Sequence, residues 1–413
     1  MLLKFKFSNY RCYADEIVFD MNASSIKEHR DSLIDNNGVS FLPVAAIYGA
    51  NASGKSSFFM AFQRMRSVIV DRFLAQERNV DSKPKVFNNP FMFDQDLAEA
   101  PTSYEVSLSI GAYQYRYGFS CTREAIIEEH LYKRKLSKNS TIEKLIFARE
   151  GKKLRCEKNN QKLQAEIDYC HSMATDKILL LTDIGLRHKE DELYSVFFWF
   201  LTSDVYLNCC QETITTVRIC ERFVGDMLGK NQDPELMSQY ISFIREIDPS
   251  ICDIRSFSET DSEGNEIFIA KTIHSYNGKE FPVRLNLESD GTNKILFISL
   301  LLIICLSQGE TILMDELDSK IHPLILRRIV QMFTDKKTNP KGAQLIFSAH
   351  NIINLDSSDL RRDEIWFVEK KNHKSTMCSL SNLDIDDLNI RTDFNYGKNY
   401  ISGRFGSVPF KQQ

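Results

Sequence analysis

A chain of 413 residues is too long for one ordinary core and implies either one large head carrying an insertion or two domains. Hydrophobic residues make up 43% and charged residues 26%, the balance of a water-soluble globular protein. A net charge of −4, with an isoelectric point near 6.1, argues against a protein that coats nucleic acid through its overall field, and leaves open a local basic groove.

The chain opens on short strands: LLKFKF (Leu2 to Phe7) alternates, and EIVFDM (Glu16 to Met21) follows a polar turn. The start, MLLKFKFSNYR, lacks the apolar core and small-residue cleavage site of a signal peptide, so a cytoplasmic location is expected. LPVAAIYG, Leu42 to Gly49, is an apolar run ending in glycine, the form of a fully buried strand, and a helix is predicted to begin near Lys55. From about Ala75 to Thr102 the chain is polar and broken by Pro84, Pro90 and Pro101, which predicts an irregular excursion. YEVSLSIG and YQYRYGFS, between Tyr104 and Cys121, read as a hairpin, with further strands near Ile126 to Tyr132 and Lys144 to Arg149. From about Gln161 to Tyr240 the pattern is helical, SVFFWFLTSDVYL included. Strands return near Cys252 to Phe257 and Ile267 to Ile273. The acidic turn ETDSEGNE between them lacks the oxygen-ligand spacing of a calcium loop. Beyond about Val283, helices alternate with the apolar strands TILMDE, AQLIFSAH and DEIWFVEK. The longest apolar run, Ile295 to Leu306, is too short to span a bilayer and predicts a buried helix. The ten cysteines form no C-x-x-C pair and no zinc spacing, and read as structural thiols.

These elements predict an α/β fold: a P-loop sheet with helices, an antiparallel β lobe and a helical and β insertion. The expected division is 1–75 for the first part of the head, 76–160 for the β lobe, 161–250 for a helical insertion and 251–413 for the second part of the head.

Gly49 to Ser57 reads GANASGKSS and fits G-x-x-x-x-G-K-[ST] in full, after a buried strand and before a helix. Gly49 and Gly54 permit the tight backbone that turns N–H groups of the loop, Asn51 among them, toward phosphate oxygens. The positive end of the following helix, with Ser56 and Ser57 in its first turn, favours the anion. Lys55 brings a point charge to the β- and γ-phosphates, and the Ser56 hydroxyl is suited to Mg²⁺. ATP and Mg²⁺ are therefore the expected ligands. The matching acid lies at the end of TILMDE, where Asp315 is placed to hold Mg²⁺ and Glu316 to polarise the attacking water. His350, ending the strand AQLIFSAH, suits contact with a γ-phosphate. Asn286 to Lys294, NLESDGTNK, offers Ser289 and Gly291 at a helix start, which taken alone is only a capped helix.

The order GANASGKSS, ESDGTNK, LMDELDSKIHP, FSAHN resembles the ABC-type ATPase heads of SMC, RecF and overcoming-lysogenization-defect proteins. More narrowly, FSNYRCYADEIVFDM, IYGANASGKSS and YISGRFGSVPF resemble bacterial ATPases of the RloA and AbiL type. This resemblance implies that Ser289 and Gly291 contact the γ-phosphate held by a partner subunit, that Asp318 lies at the dimer seam, and that His350 is the switch histidine. It also implies that Arg11 lies near the nucleotide. The sequence departs from transporters in reading SDGT rather than SGGQ. No clear glutamine loop is found, Gln63 and Gln76 being poor candidates.

The resemblance further implies an anti-phage ATPase, a homodimer or higher homo-oligomer, acting as sensor and scaffold for a separately encoded nuclease or toxin; nucleic acid is a candidate partner, tied to the alternative below, and the short apolar run gives no expectation of a membrane. A RecF-like DNA-repair ATPase is the alternative, favoured by basic runs such as Lys133 to Lys135 and Lys152–Lys153, which also suit ordinary solvated hairpin tips. A built-in nuclease domain is disfavoured because only 63 residues follow His350, so Asp384, Asp386 and Asp387 read as a loop or cap.

Overall fold

The computed structural model of the chain describes residues 1–77, 88–138, 140–156, 177–187, 192–207, 214–351 and 359–383, with positions 165, 168, 169, 396 and 399. The chain divides into two compact units. The first comprises Met1–Leu207, Glu310–Asp315 and Gln344–Gln413; the second comprises Asn208–Gly309 and Glu316–Ala343.

The first unit contains two sheets. One is antiparallel, in the order β10-β9-β8-β7-β6-β1-β2. It comprises β1 (Leu2–Ser8), β2 (Ile17–Asp20), β6 (Thr102–Ile110), β7 (Tyr113–Cys121), β8 (Ile126–Lys135), β9 (Lys144–Glu150) and β10 (Lys153–Cys156). β1 shows why it forms: Phe5 and Phe7 are buried, while Lys4 and Lys6 on the other face pair with Asp20 at 2.9 Å and Glu105 at 3.2 Å. A small hairpin, β3 (Ile34–Asn36) and β4 (Val39–Phe41), stands apart from this sheet in its strand pairing.

The other sheet has the order β11-β15-β16-β5-β17-β18. Its strands are β5 (Val44–Gly49), β11 (Asp204–Tyr206), β15 (Thr311–Met314), β16 (Gln344–Ser348), β17 (Ile365–Lys371) and β18 (Lys374–Ser379). All neighbours are parallel except β17 and β18. Every residue of β5, β15 and β16 is buried, as expected of strands covered on both faces. Helix α1 (Lys55–Glu77) brings Phe58 and Phe62 against Phe5, with ring centroids 5.8 and 5.1 Å apart, and Phe58 within 5.0 Å of Phe19. Phe19 in turn packs on Trp366 at 4.9 Å. The aromatic residues of α1 thus join the lobe and the parallel sheet in one core.

Two further helices belong to this unit, α3 (Leu180–Arg187) and α4 (Glu192–Thr202), after the short α2 (Gln95–Glu99). The buried carboxylate of Glu129 on β8 accepts from Leu180 N at 2.8 Å and Leu181 N at 3.0 Å, and pairs with Arg149 at 3.1 Å. A buried charge is thereby balanced by a guanidinium and a helix N-terminus.

The second unit holds α5 (Ile214–Gly229), α6 (Pro234–Ile247), α7 (Asp290–Gln308), α8 (Pro323–Thr334) and a sheet in the order β12 (Ile251–Thr260), β13 (Glu266–Tyr276), β14 (Lys279–Arg284). Helix α7 is long and apolar enough to cross a membrane by length and composition, and 56% of that window is buried inside the protein. Its Leu296 carbonyl accepts from the Tyr240 hydroxyl on α6 at 3.1 Å.

The division differs from the expected segments. The lobe does not begin at residue 76, because β1 and β2 complete its sheet. The 161–250 stretch is not one insertion, since α3 and α4 lie in the first unit and α5 and α6 in the second. SVFFWFLTSDVYL is not helical throughout: α4 ends at Thr202, and β11 pairs in parallel with β15. A three-residue strand is too short to show a period of its own beside the apolar helix. Strands β3, β4, β10, β14 and β18 are further elements that the sequence pattern does not mark. Asp384, Asp386, Asp387 and the YISGRFGSVPF segment lie outside the described residues.

Candidate functional site

Three parallel strands set the site. β16 lies between β5 and β15, with Ser348 opposite Ile47 and Phe347 opposite Met314. The carboxyl ends of β5, β15 and β16 therefore share one edge, where Gly49, Asp315 and His350 leave the sheet. Open α/β sheets bind ligands at this edge.

The loop after β5 has the geometry that its sequence demands. Gly54 has φ +123, and a Cβ there would lie 2.8 Å from Ser375 Oγ and 3.1 Å from Cys12 Sγ. A Cβ on Gly49 would lie 2.4 Å from the Val368 carbonyl oxygen. Lys55 is buried, and its Nζ donates to Gly49 O at 2.8 Å and Ala50 O at 3.2 Å, spanning the loop. Ser53 Oγ is buried with no hydrogen-bond partner among the described residues. Asn51 is exposed, and Ser56 and Ser57 are half-buried in the first turn of α1.

Residues that the sequence reading did not single out hold this loop from behind. Tyr13 Oη donates to Gly54 O at 3.1 Å, and Ser375 Oγ donates to Ser53 O at 2.5 Å. Ser375 N donates to Cys12 O at 2.8 Å, so β18 and the Tyr10–Tyr13 turn meet at the loop. Arg11, in that turn, has φ 52 and is exposed. Its guanidinium reaches Met60 Sδ on α1, and its backbone N–H donates to Asn89 O at 2.7 Å. No described contact joins Arg11 to the loop itself.

Asp315 is 2% exposed and accepts from Ser348 Oγ at 2.6 Å, which ties β15 to β16 at the edge. Its backbone N–H donates to Tyr206 O at 2.9 Å, so β11 fixes its outer side. Glu316 follows in the left-handed region, φ 55. His350 is exposed, just beyond Ala349, whose N–H donates to Ile47 O at 3.2 Å.

In the second unit Ser289 is the exposed N-cap of α7, accepting from Thr292 N at 3.1 Å. A Cβ on Gly291 would meet nothing nearer than Lys320 O at 3.5 Å, an ordinary contact. Lys294, fully buried one turn on, donates to Glu316 O at 3.4 Å and to Ser319 O. The turn after Asp315 is therefore held by a lysine of the ESDGTNK segment, a link that only the tertiary contact reveals.

The residues present fit a nucleotide triphosphate. The fit rests on a glycine cradle that no side chain could enter, a helix N-terminus, a spanning lysine and a buried aspartate on the strand next but one. Gly54→Ala is expected to weaken nucleotide binding by about 5- to 150-fold, because the positive φ alone costs about 1–3 kcal/mol in a non-glycine residue. Adding Ser375→Ala removes the shortest contact but leaves Cys12 Sγ at 3.1 Å and the φ penalty, and is expected to give no rescue. Titration with a fluorescent ATP analogue checks this, and wild-type affinity in Gly54→Ala would refute the cradle geometry.

A P-loop at the carboxyl edge of a parallel sheet, with a buried aspartate across the intervening strand, defines a P-loop ATPase fold. The chain belongs to the family described as "AAA domain, putative AbiEii toxin, Type IV TA system", whose model matches residues 44–167 and 212–356, about two thirds of its length. Among solved structures it is similar to the SMC head domain from Thermotoga maritima, at 14% identity and a TM-score of 0.42, covering 92% of this chain and 98% of that one. It is also similar to an SMC head bound to the C-winged helix domain of ScpA, at 13% identity and a TM-score of 0.40, covering 94% and 99%. No curated protein matches the chain.

Proposed function

We propose that this protein hydrolyses ATP with Mg²⁺ at sites completed by a second copy of the chain, and that assembly and turnover control a separately encoded effector in anti-phage defence. The observation that carries the catalytic part is the shared edge of β5, β16 and β15, where Lys55, Asp315 and Ser348 converge. Gly49, Asn51, Gly54, Lys55 and Ser57 hold the phosphates, and Ser56 with Asp315 holds the metal. Held by Ser56 and Asp315, Mg²⁺ would neutralise the charge of the phosphates. Glu316 orients the attacking water and His350 faces the γ-phosphate, while Arg11 would reach the nucleotide only by leaving Met60.

The trans contribution is supported by two features of the ESDGTNK segment. Ser289 is exposed at a helix start, and Gly291 has room for a side chain within its own chain. A glycine without an intrachain steric reason suits close approach by another molecule. The family's description, which names an AbiEii toxin and a Type IV toxin–antitoxin system, supports the defence setting, as does the RloA- and AbiL-like opening NYRCYADEIVFDM.

Mixing two inactive variants tests the shared site. Lys55→Ala and Gly291→Glu chains are each expected to be inactive alone. A mixed dimer has one site with both an intact loop and an intact ESDGTNK segment. Random pairing then restores roughly a quarter of wild-type turnover. No recovery, in a mixture shown by light scattering to pair with ATP, would refute the shared site.

A further inference from the structure

A second polar cavity lies in the first unit, away from the P-loop. It has a volume of about 670 Å³, within the roughly 300–1,000 Å³ of small-molecule sites. Its walls come from the Asn22–Ser25 segment, the β3–β4 hairpin and the end of β8 with the turn after it. Three cations line it, Arg30, Arg134 and Lys138, against one carboxylate, Asp35, which accepts from Ser40 Oγ.

None of these three cations has a carboxylate partner among the described residues. Two other arginines show the contrast, each held by two carboxylates: Arg116 by Glu105 and Glu143, Arg255 by Asp253 and Glu280. Arg134 is instead oriented by a neutral group. Its Nε and Nη2 donate to Gln114 Oε1 at 2.9 and 2.6 Å, and its Nη1 donates to Ser140 O at 3.4 Å. The guanidinium is thereby fixed in place with its charge uncompensated, the condition under which arginine recognises phosphate. Strand alternation separates it from its neighbours in the basic run. Lys133 lies over the Tyr113 ring at 3.7 Å, and Arg134 faces the cavity. The hydroxyls of Ser25, Ser137 and Thr141 add polar partners.

The cavity lies toward the other end of the parallel sheet from the P-loop. The Gln344 side chain, at the start of β16, bonds Leu2 N at 2.6 Å and Leu42 O at 3.1 Å. Beside it, Met1 bonds Ser109 O, and Asn36 of the hairpin bonds Ser109 Oγ at 3.1 Å and Gly111 O at 3.2 Å. The P-loop leaves the opposite end of β5, a strand about 20 Å long.

We propose that this cavity binds a small phosphorylated molecule, with room for a nucleotide, at a site separate from the P-loop. It needs neither hydrolysis nor assembly, so it stands or falls apart from the proposed function.

Titration calorimetry on the Lys55→Ala protein with inorganic tripolyphosphate tests it. One binding event per chain is expected. Arg30→Ala with Lys138→Ala, both exposed side chains whose loss leaves no buried carboxylate, is expected to weaken it at least tenfold. Arg134→Lys keeps the charge and loses the fork, and is expected to fall between. No binding by the Lys55→Ala protein, or equal binding by the double variant, would overturn the proposal. So would single-stranded DNA binding at the same residues with an affinity that rises with strand length, which would make the surface a nucleic-acid groove.

Discussion

Glu316→Gln protein is expected to bind ATP with Mg²⁺ as the wild type does, and to release phosphate about 10²–10⁴-fold more slowly, the usual contribution of a general base. Glutamine matches glutamate in shape and can occupy the same left-handed position, φ 55, so the turn held by Lys294 survives. Only the ability to take a proton from water is lost. Because hydrolysis reopens the shared site in this scheme, the variant is expected to accumulate as an ATP-dependent larger species in light scattering. Phosphate release at the wild-type rate would remove Glu316 from the mechanism. A monomer under every condition would remove the second copy.

Arg361→Met is expected to destabilise the first unit by about 3–5 kcal/mol, the cost of leaving a buried charge without its partner. Arg361 is fully buried. Its Nε and Nη2 donate to Asp363 at 2.9 and 2.8 Å, and Nη1 donates to the carbonyls of Ile26 and Glu28. Asp363 also accepts from Ser24 N and Oγ at 2.9 and 2.7 Å. One guanidinium thus fastens the segment before β3 to the start of β17. Next to it, burial pushes the Glu364 carboxyl up to about 8, so this pocket tolerates little further negative charge. Adding Asp363→Asn is expected to recover part of the loss, because the stranded carboxylate is gone. Both tryptophans, Trp199 and Trp366, lie in the first unit, so urea unfolding followed by their fluorescence reads this unit. An Arg361→Met midpoint equal to wild type would mean that the cluster does not hold the segment.

The local elements were legible where period and punctuation agree. The alternation of LLKFKF gave β1, and the apolar runs before GANASGKSS, after Gly309 and before His350 gave three core strands. The positions of Lys55 and Asp315 followed, because their roles depend on strand ends. Tyr13 and Ser375 were not legible as supports. Each bonds the loop from a distant part of the chain through a side chain with many ordinary uses. Strand β11 was hidden behind the apolar α4, and the membership of β1 in the lobe sheet is a pairing across about a hundred residues that no local pattern encodes.

The strand order of the parallel sheet also governs how the protein is made. β5 emerges early, yet its two neighbours are β16 and β17, about three hundred residues later. At about 5–20 residues per second, the wholly apolar VAAIYG strand waits roughly 15–60 s on the ribosome without either neighbour. The hairpins of the antiparallel sheet close within that interval, since β6 to β9 pair with their immediate successors. The nascent chain therefore carries a folded lobe and an unpaired hydrophobic strand, a species that invites chaperone binding. The phosphate cradle, backed by Ser375, lacks that support until β18 has been synthesised, more than three hundred residues after the loop.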